Sequence, residues 1–313
     1  MSSQVLRKSS IAKDTSDFTI IGGDVRQIYI ALELMELGHF VTLYALDPSP
    51  YMTSSELADN PDTKEKFHKA DSLEEAMKAS KFIIAPIPLS RDGSHITSLV
   101  VKEDLTYMNF KKHLNETKVL LAGSISEDMI RYCDANNIAH FDYMENENVA
   151  IKNAIATAEG TIMEAIKHSN YNLHGSQSLI LGFGRCAKVL AGKLKALDSH
   201  ITIAARKQED LSYAYAFGYD TVMLSKLKNH LSHYHYIFNT VPTMVLTKDY
   251  LSEMRKDVTI IDIASAPGGT DFAVAKELGL NANLCLGLPG KVAPKTSAEI
   301  LVEETLSIYH SLD

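Results

Sequence analysis

A glycine-rich turn is the pattern in this sequence that most directly indicates chemistry. Gly182-x-Gly184-x-x-Ala187 follows the apolar run SLIL and precedes a helical pattern. In such a turn, the first glycine permits a tight bend, the second lets backbone N–H groups reach a pyrophosphate, and a small third residue lets the helix approach the sheet. The pattern predicts a dinucleotide site, and its alternative is a tight turn without a ligand. The other turn residues expected to contact the cofactor are Phe183, Arg185 and Cys186.

The end of the next predicted strand, ITIAA, indicates which dinucleotide is bound. Sites that prefer NAD place a carboxylate here for the ribose 2′-hydroxyl. This sequence has Ala205, Arg206 and Lys207 instead. Because a guanidinium holds a 2′-phosphate through paired hydrogen bonds, the sequence predicts NADP(H); the alternative is a solvated pair of cations. Residues after two later strands are expected to line the ribose and nicotinamide, namely Asn239, Thr240, Val241 and Pro242, then Ala264 and Ser265.

Two arginines in the first half of the chain are candidate anchors for a substrate carboxylate. Arg26 lies near a helix start, after the turn Gly22-Gly23-Asp24. That turn lacks a third glycine and carries an acid, so we expect no second dinucleotide there. Arg91 lies in a loop after the strand KFIIAPIP, and loops commonly carry binding residues. The alternative for Arg26 is a surface arginine paired with an acid.

Strands alternate with helical segments in both halves of the chain. The apolar runs include FTII, VTLY and KVLL in the first half and SLIL, ITIAA, TVML, YIF, VTII and NLCL in the second. This alternation predicts an α/β protein with two Rossmann-like, doubly wound parallel sheets. The expected segments are a disordered tail at 1–17, a substrate domain at 18–150, an NADP-binding domain at 151–292, and a C-terminal helix at 293–313 that returns to the first domain.

A long amphipathic helix over residues 146–168 is expected to join the two domains. Its predicted apolar stripe consists of Val149, Ala154, Ile155, Ala158, Ile162, Ala165 and Ile166.

Composition excludes several classes of function. The chain has 31 Lys and Arg against 39 Asp and Glu, a formal charge of -8, which disfavours nucleic acid and anionic membranes as partners. Its three cysteines are far apart and form no CxxC pattern, so we expect neither disulfides nor a metal site, and a cytoplasmic location. The polar N-terminal segment indicates neither a signal peptide nor a membrane span.

Six motifs carry a family resemblance. They are Ile21–Gln27, Thr157–Gly160, Gly182–Arg185, Asn239–Pro242, Ser265–Asp271 and Gly287–Thr296. With these motifs the chain resembles, from Phe18 onward, the dipicolinate synthase A-subunit family of spore-forming bacteria, whose architecture is similar to that of two-domain 2-hydroxyacid and alanine dehydrogenases.

The resemblance implies a protein that acts with NADP(H) and with a flavoprotein B-subunit. Together they would form dipicolinate (pyridine-2,6-dicarboxylate) from dihydrodipicolinate or 4-hydroxytetrahydrodipicolinate. This reaction leaves the diaminopimelate and lysine pathway during sporulation, in the mother-cell cytoplasm. A homo-oligomer is also expected. Two alternatives stay open: a nucleotide-binding scaffold whose catalysis lies in the flavin partner, and a free-standing 2-hydroxy- or 2-amino-acid dehydrogenase.

The implied chemistry defines the remaining candidate residues. A dianionic substrate needs cationic anchors, and aromatisation needs a hydride acceptor and a base. The histidine base of 2-hydroxyacid dehydrogenases would fall near Gly290 and is absent. The catalytic candidates are therefore Glu159, Asp271 and Lys295, and further substrate-binding candidates are Ser265, Thr296 and again Lys295. Asp271 has the alternative role of a helix cap.

Overall fold

The computed structural model describes residues 16–48 and 66–312, which form two compact units. The first unit extends to Val149 and includes the chain from Ala298 onward, and the second comprises Ala150–Ser297. The predicted disordered tail lies outside the described residues except for Ser16 and Asp17. Ser16 is buried, with its Oγ atom 2.7 Å from Oγ1 of Thr42.

The first unit is built on a six-stranded sheet with the order β3-β2-β1-β4-β5-β6, in which every neighbouring pair is parallel. The strands are β1 Phe18–Ile21, β2 Val41–Tyr44, β3 Phe67–Lys69, β4 Phe82–Ile84, β5 Val119–Ala122 and β6 Ala139–Asp142. Its α-helices include Val25–Glu36, Leu73–Ala79, Tyr107–His113 and Glu127–Ala135. Ser126 caps the last of these helices, as its position in the sequence predicts.

The second unit repeats this topology, with the strand order β12-β11-β10-β7-β8-β9 and parallel pairing throughout. The strands are β7 Gln177–Leu181, β8 His200–Ala205, β9 Asp220–Met223, β10 Tyr236–Asn239, β11 Thr259–Asp262 and β12 Asn281–Leu284. Its α-helices include Arg185–Ala196, Gln208–Ala216, Lys248–Leu251, Phe272–Glu277 and Leu288–Val292, and a 3₁₀ segment spans Leu224–His233. Two doubly wound parallel sheets confirm the predicted fold class.

The C-terminal helix, Pro294–Leu312, completes the hydrophobic core of the first unit. Leu301 and Val302 are buried in the same cluster as Phe18. The buried hydroxyl groups of Tyr143 and Thr305 lie 2.6 Å apart. Burial of these apolar side chains holds the helix against the sheet.

The long helix spans Glu147–His168, and its predicted apolar stripe is partly wrong. Ala154, Ala158 and Ala165 are buried, but Ile155 and Ile166 are exposed. The buried face consists mainly of small residues because neighbouring elements approach the helix closely. At Gly160, an added Cβ atom would lie only 3.0 Å from the Cβ atom of Leu288. Close packing, rather than side-chain hydrophobicity, therefore determines which face is buried.

Among the described residues, no helix is long and apolar enough to cross a membrane.

Candidate functional site

The predicted glycine turn follows β7 and is held in shape by the loop after β10. Gly182 has a φ of +91°, which lies in the region that favours glycine. An added Cβ atom at Gly182 would lie 2.8 Å from Oγ1 of Thr240 and 3.0 Å from Cγ2 of Val241. The Thr240 hydroxyl donates to the Leu181 carbonyl at 2.8 Å, which fixes this contact. A side chain larger than hydrogen is therefore excluded at Gly182.

The helix Arg185–Ala196 begins directly after this turn and has an open N-terminus. Gly184 is the N-cap residue, and no side chain caps the helix. An added Cβ atom at Gly184 would meet no atom within 4 Å. The first N–H groups of a helix have no partners within the helix and carry a partial positive charge. This N-terminus can therefore bind an anion such as a pyrophosphate.

The other predicted turn residues have different positions. Phe183 is buried, and its ring packs 6.3 Å from the ring of Tyr219, so only its backbone is placed to contact a ligand. Cys186 is half-buried, and burial raises the pKa of its thiol. Ala187 is fully buried, which lets the helix approach the sheet as predicted. Arg185 is exposed at the first helical position.

The end of β8 presents two cations. Ala205 is buried, whereas Arg206 and Lys207 are exposed before the helix Gln208–Ala216. Within the described ranges, no carboxylate forms an ion pair with either side chain. Their positive charges are therefore available to a phosphate group.

A buried aspartate that sequence analysis missed organises the neighbouring strand ends. Asp262 is the last residue of β11 and is fully buried. Its carboxylate accepts four hydrogen bonds, from Asn239 Nδ2 at 2.9 Å, Ala264 N at 3.1 Å, Gly269 N at 2.9 Å and Thr270 Oγ1 at 2.7 Å. A buried carboxylate needs such partners, so the loop after β11 must fold around it. The signal available in the sequence was an acid at the end of the apolar run VTII.

The same network fixes the loop after β10. Asn239 is fully buried, and its side chain forms two hydrogen bonds with the backbone of Val241. Its oxygen accepts from the Val241 N–H at 3.1 Å, and its Nδ2 atom donates to the Val241 carbonyl at 3.1 Å. Pro242 and Ser265 lie further along the two loops and are exposed. The predicted ribose and nicotinamide residues therefore include buried members that shape the loops and exposed members that can contact a ligand.

The catalytic candidates of this unit have partners within the protein. The Glu159 carboxylate accepts from Lys193 Nζ at 2.8 Å. Lys193 lies eight residues after Arg185, which is about 12 Å along the helix axis. Asp271 caps the helix Phe272–Glu277 by accepting from Val274 N at 3.0 Å.

The two remaining polar candidates begin the C-terminal helix. Lys295 and Thr296 are exposed in the first turn of Pro294–Leu312.

In the first unit, the predicted anchor Arg26 is paired with an acid, and the charge of the other anchor, Arg91, acts on the same acid. Arg26 is buried, and its Nε and Nη2 atoms donate to the Asp24 carboxylate at 2.9 Å and 2.8 Å. Nη2 also donates to the Ile87 carbonyl at 2.6 Å. Burial by itself would raise the pKa of Asp24, but hydrogen bonds and charge from Arg26, with a further contribution from the charge of Arg91, hold it below its ordinary value. The charge of the buried Arg26 is therefore paired within the protein.

The turn before Arg26 is bonded to other parts of the same unit. Gly23 N donates to the Thr97 carbonyl at 2.7 Å, and an added Cβ atom at Gly22 would lie 2.7 Å from the same oxygen. Asp24 N donates to Oε1 of Gln27 at 2.9 Å. The N–H groups that would bind phosphate in a Rossmann turn are therefore used inside the protein. Sequence analysis missed the role of Thr97, which is distant in the chain from the turn.

The described residues contain no cluster of three or more His, Cys, Asp or Glu side chains that could hold a metal ion.

Two known families match this chain. Residues 17–144 match the N-terminal domain of the dipicolinate synthase A-subunit, and residues 128–278 match the NAD binding domain of D-isomer specific 2-hydroxyacid dehydrogenases. The dipicolinate synthase A-subunit of Bacillus subtilis (strain 168) is 32% identical over 285 residues, which cover 90% of this chain and 92% of that protein.

Solved structures give the same result. The crystal structure of the dipicolinate synthase A-subunit from Bacillus halodurans matches with a TM-score of 0.81 and 29% sequence identity. The match covers 94% of this chain and 97% of that one. The structure of an L-alanine dehydrogenase matches with a TM-score of 0.62 over 92% of this chain and 88% of that one. Its sequence identity is 12%, so this match shows a shared fold alone.

Proposed function

Because this chain belongs to the dipicolinate synthase A-subunit family, we propose that it forms dipicolinate with NADP(H) as its nucleotide and with a flavoprotein partner, the B-subunit. The substrate is dihydrodipicolinate, or 4-hydroxytetrahydrodipicolinate after loss of water. Conversion of dihydrodipicolinate to the aromatic product removes one hydride and one proton. The nicotinamide, when bound, supplies the hydride acceptor.

The observation that carries this proposal is the open helix N-terminus at Gly184, together with the exposed Arg206 and Lys207. The N–H groups after Gly184 bind the pyrophosphate. The Arg206 guanidinium binds the 2′-phosphate through paired hydrogen bonds, and Lys207 adds a second positive charge. These cations select NADP(H) over NAD(H).

The loops that follow β10 and β11 hold the other end of the nucleotide. Their shape comes from the buried pair of Asn239 and Asp262, whose side chains bond at 2.9 Å. The exposed Ser265 then offers its hydroxyl group to the ribose and nicotinamide. Rigid support of this kind positions a reacting group at a low cost in entropy.

Arg26 and Arg91 bind the carboxylates of the substrate. Asp24 fixes the direction of the Arg26 guanidinium through two hydrogen bonds, and the exposed Arg91 supplies a second cation. Lys295 and Thr296 add polar contacts from the start of the C-terminal helix.

Asp271 is the proposed acceptor for the proton. It uses Oδ1 to cap its helix, and no group in the described residues bonds to its Oδ2 atom. One carboxylate oxygen thus holds the side chain in position while the other accepts the proton.

A second candidate function is a nucleotide-binding scaffold whose catalysis lies in the flavoprotein. The observation that favours it is the bond between Glu159 and Lys193, which commits one of the three catalytic candidates to a structural contact.

An assay with and without the flavoprotein distinguishes these functions. The full chain, alone or with the flavoprotein, is given 4-hydroxytetrahydrodipicolinate and NADP+, and the absorbances of dipicolinate and of NADPH are followed together. The proposed function gives one NADPH for each dipicolinate. A scaffold gives dipicolinate without NADPH, and a free-standing dehydrogenase reduces simple 2-oxo acids without the flavoprotein.

Substitution of the arginines tests the substrate site separately. Arg26→Gln and Arg91→Gln should each raise KM for the substrate more than they change the affinity for NADPH. The opposite pattern would place both arginines outside the substrate site.

A further inference from the structure

One face of the long helix Glu147–His168 is apolar and exposed. Ile151, Ile155, Met163 and Ile166 have exposed fractions of 47%, 48%, 45% and 59%. Ile162, which is partly buried, lies between them. Residues three, four or seven apart share a helix face, so these side chains form one continuous stripe. A continuous exposed apolar patch on a protein surface marks an interaction site.

The four isoleucines of this stripe are spaced symmetrically about the middle of the helix. The centre of symmetry lies between residues 158 and 159. Ile155 and Ile162 are equally far from it on opposite sides, and so are Ile151 and Ile166. A second copy of the helix that runs in the opposite direction would place Ile151 opposite Ile166 and Ile155 opposite Ile162. A surface that matches its own reverse in this way is what a two-fold interface requires.

The charges at the centre of the stripe are also balanced for self-association. Glu159 lies at the midpoint and accepts from Lys193 Nζ at 2.8 Å, and both side chains are partly exposed. A two-fold axis here brings two glutamates and two lysines together, so each ammonium group can lie between two carboxylates. The net charge of this group of four is zero, and association does not bring unpaired like charges together.

We propose that the partner for this face is a second copy of the chain. The two helices pack antiparallel through the stripe Ile151–Ile166, and Glu159 and Lys193 of both copies surround the axis. A helix of 22 residues is about 33 Å long, enough to form the central part of a standard interface of roughly 1,600 Å². This arrangement gives Glu159 a role in assembly.

The oligomeric mass of the full chain tests the interface. Analytical ultracentrifugation over a range of concentrations should show a dimer for the wild type. Ile155→Glu places a charge in the apolar stripe and should raise the dimer dissociation constant at least tenfold. Val101→Glu is the matched control because Val101 is 92% exposed in the other unit, and it should leave the dimer intact. A wild type that stays monomeric, or an Ile155→Glu variant with unchanged association and an unchanged circular dichroism spectrum, would overturn the proposal.

A mixing experiment tests contact across the axis and does not depend on the stability of one variant. Glu159→Lys alone places four lysines at the axis, and Lys193→Glu alone places four glutamates there, so each variant should associate weakly. An equimolar mixture of the two allows a heterodimer with two positive and two negative charges, which should sediment as a dimer. A mixture that associates no more than the separate variants would show that these residues do not meet across an interface.

Discussion

The preference for NADP(H) over NAD(H) is expected to depend on the guanidinium of Arg206. This side chain is exposed at the end of β8, and no carboxylate in the described ranges neutralises it. Arg206→Gln keeps a hydrogen-bond donor of moderate length and removes the positive charge. Because the 2′-phosphate is the chemical difference between the two nucleotides, the variant should lose affinity for NADPH and change little toward NADH.

The size of the effect follows from the hydrogen bonds that are lost. A hydrogen bond to a charged group contributes about 1.5–3 kcal/mol, and each 1.4 kcal/mol is a tenfold change in affinity. Arg206→Gln should therefore weaken NADPH binding by about 10-fold to 150-fold. Lys207 remains beside the phosphate and should bring the result toward the lower end of this range.

Calorimetric titration of the wild type and the variant with each nucleotide measures this change directly. Arg131→Gln is the matched control, because Arg131 is an exposed helical arginine of the first unit, 3.7 Å from Glu127, and lies outside the nucleotide site. The control should alter neither affinity. Equal affinities of the wild type for NADPH and NADH, or an equal loss of both in Arg206→Gln, would refute the argument from the end of β8.

Three further predictions concern stability and reactivity. Asp262→Ala leaves four buried donors without their acceptor and should lower the free energy of unfolding by about 3–5 kcal/mol in urea titrations; a loss below about 1 kcal/mol would contradict the proposed network. Although burial would raise the pKa of Asp24, Arg26 holds it below its ordinary value, so stability from this pair is complete above the unfolded-state pKa and is lost as pH falls through the folded-state pKa. Asp24→Asn should therefore reduce the fall in stability as the pH drops below the ordinary aspartate pKa of about 4, and an unchanged pH dependence would contradict the pair. Cys186 should react with iodoacetamide before Cys133, because burial raises the pKa of the Cys133 thiol to about 11. Bound NADPH should slow the reaction of Cys186. Equal rates with and without NADPH would exclude a ligand at that helix N-terminus.

The central strands could be predicted because they are buried on both faces of a parallel sheet and therefore appear as apolar runs. The run VLLA at Val119–Ala122 and the run TIID at Thr259–Asp262 are examples, with every residue buried. β3 was missed because Phe67–Lys69 is a three-residue edge strand with mostly exposed side chains. The short helices Leu73–Ala79 and Tyr107–His113 were missed because seven residues carry little periodic signal.

The candidate site was predictable where a local backbone requirement selects the residue type. Gly182 needs a positive φ and close contact with Thr240, and both requirements leave glycine as the residue that fits. One partner of Arg26 depends instead on tertiary structure, since the Ile87 carbonyl is 61 residues away in the chain. The same is true of Asp262, whose donors come from two different strand ends.

Titration of the full chain with NADPH, compared between the wild type and Gly184→Asp, tests most directly whether the dinucleotide binds at the turn after β7. Gly184 has a φ of −82°, and an added Cβ atom there meets no atom within 4 Å, so the variant should fold normally. Its carboxylate would occupy the space of the pyrophosphate and repel it. We expect one NADPH to bind per wild-type chain and binding to be lost in Gly184→Asp. Undiminished binding by the folded variant would contradict a nucleotide site at this helix N-terminus.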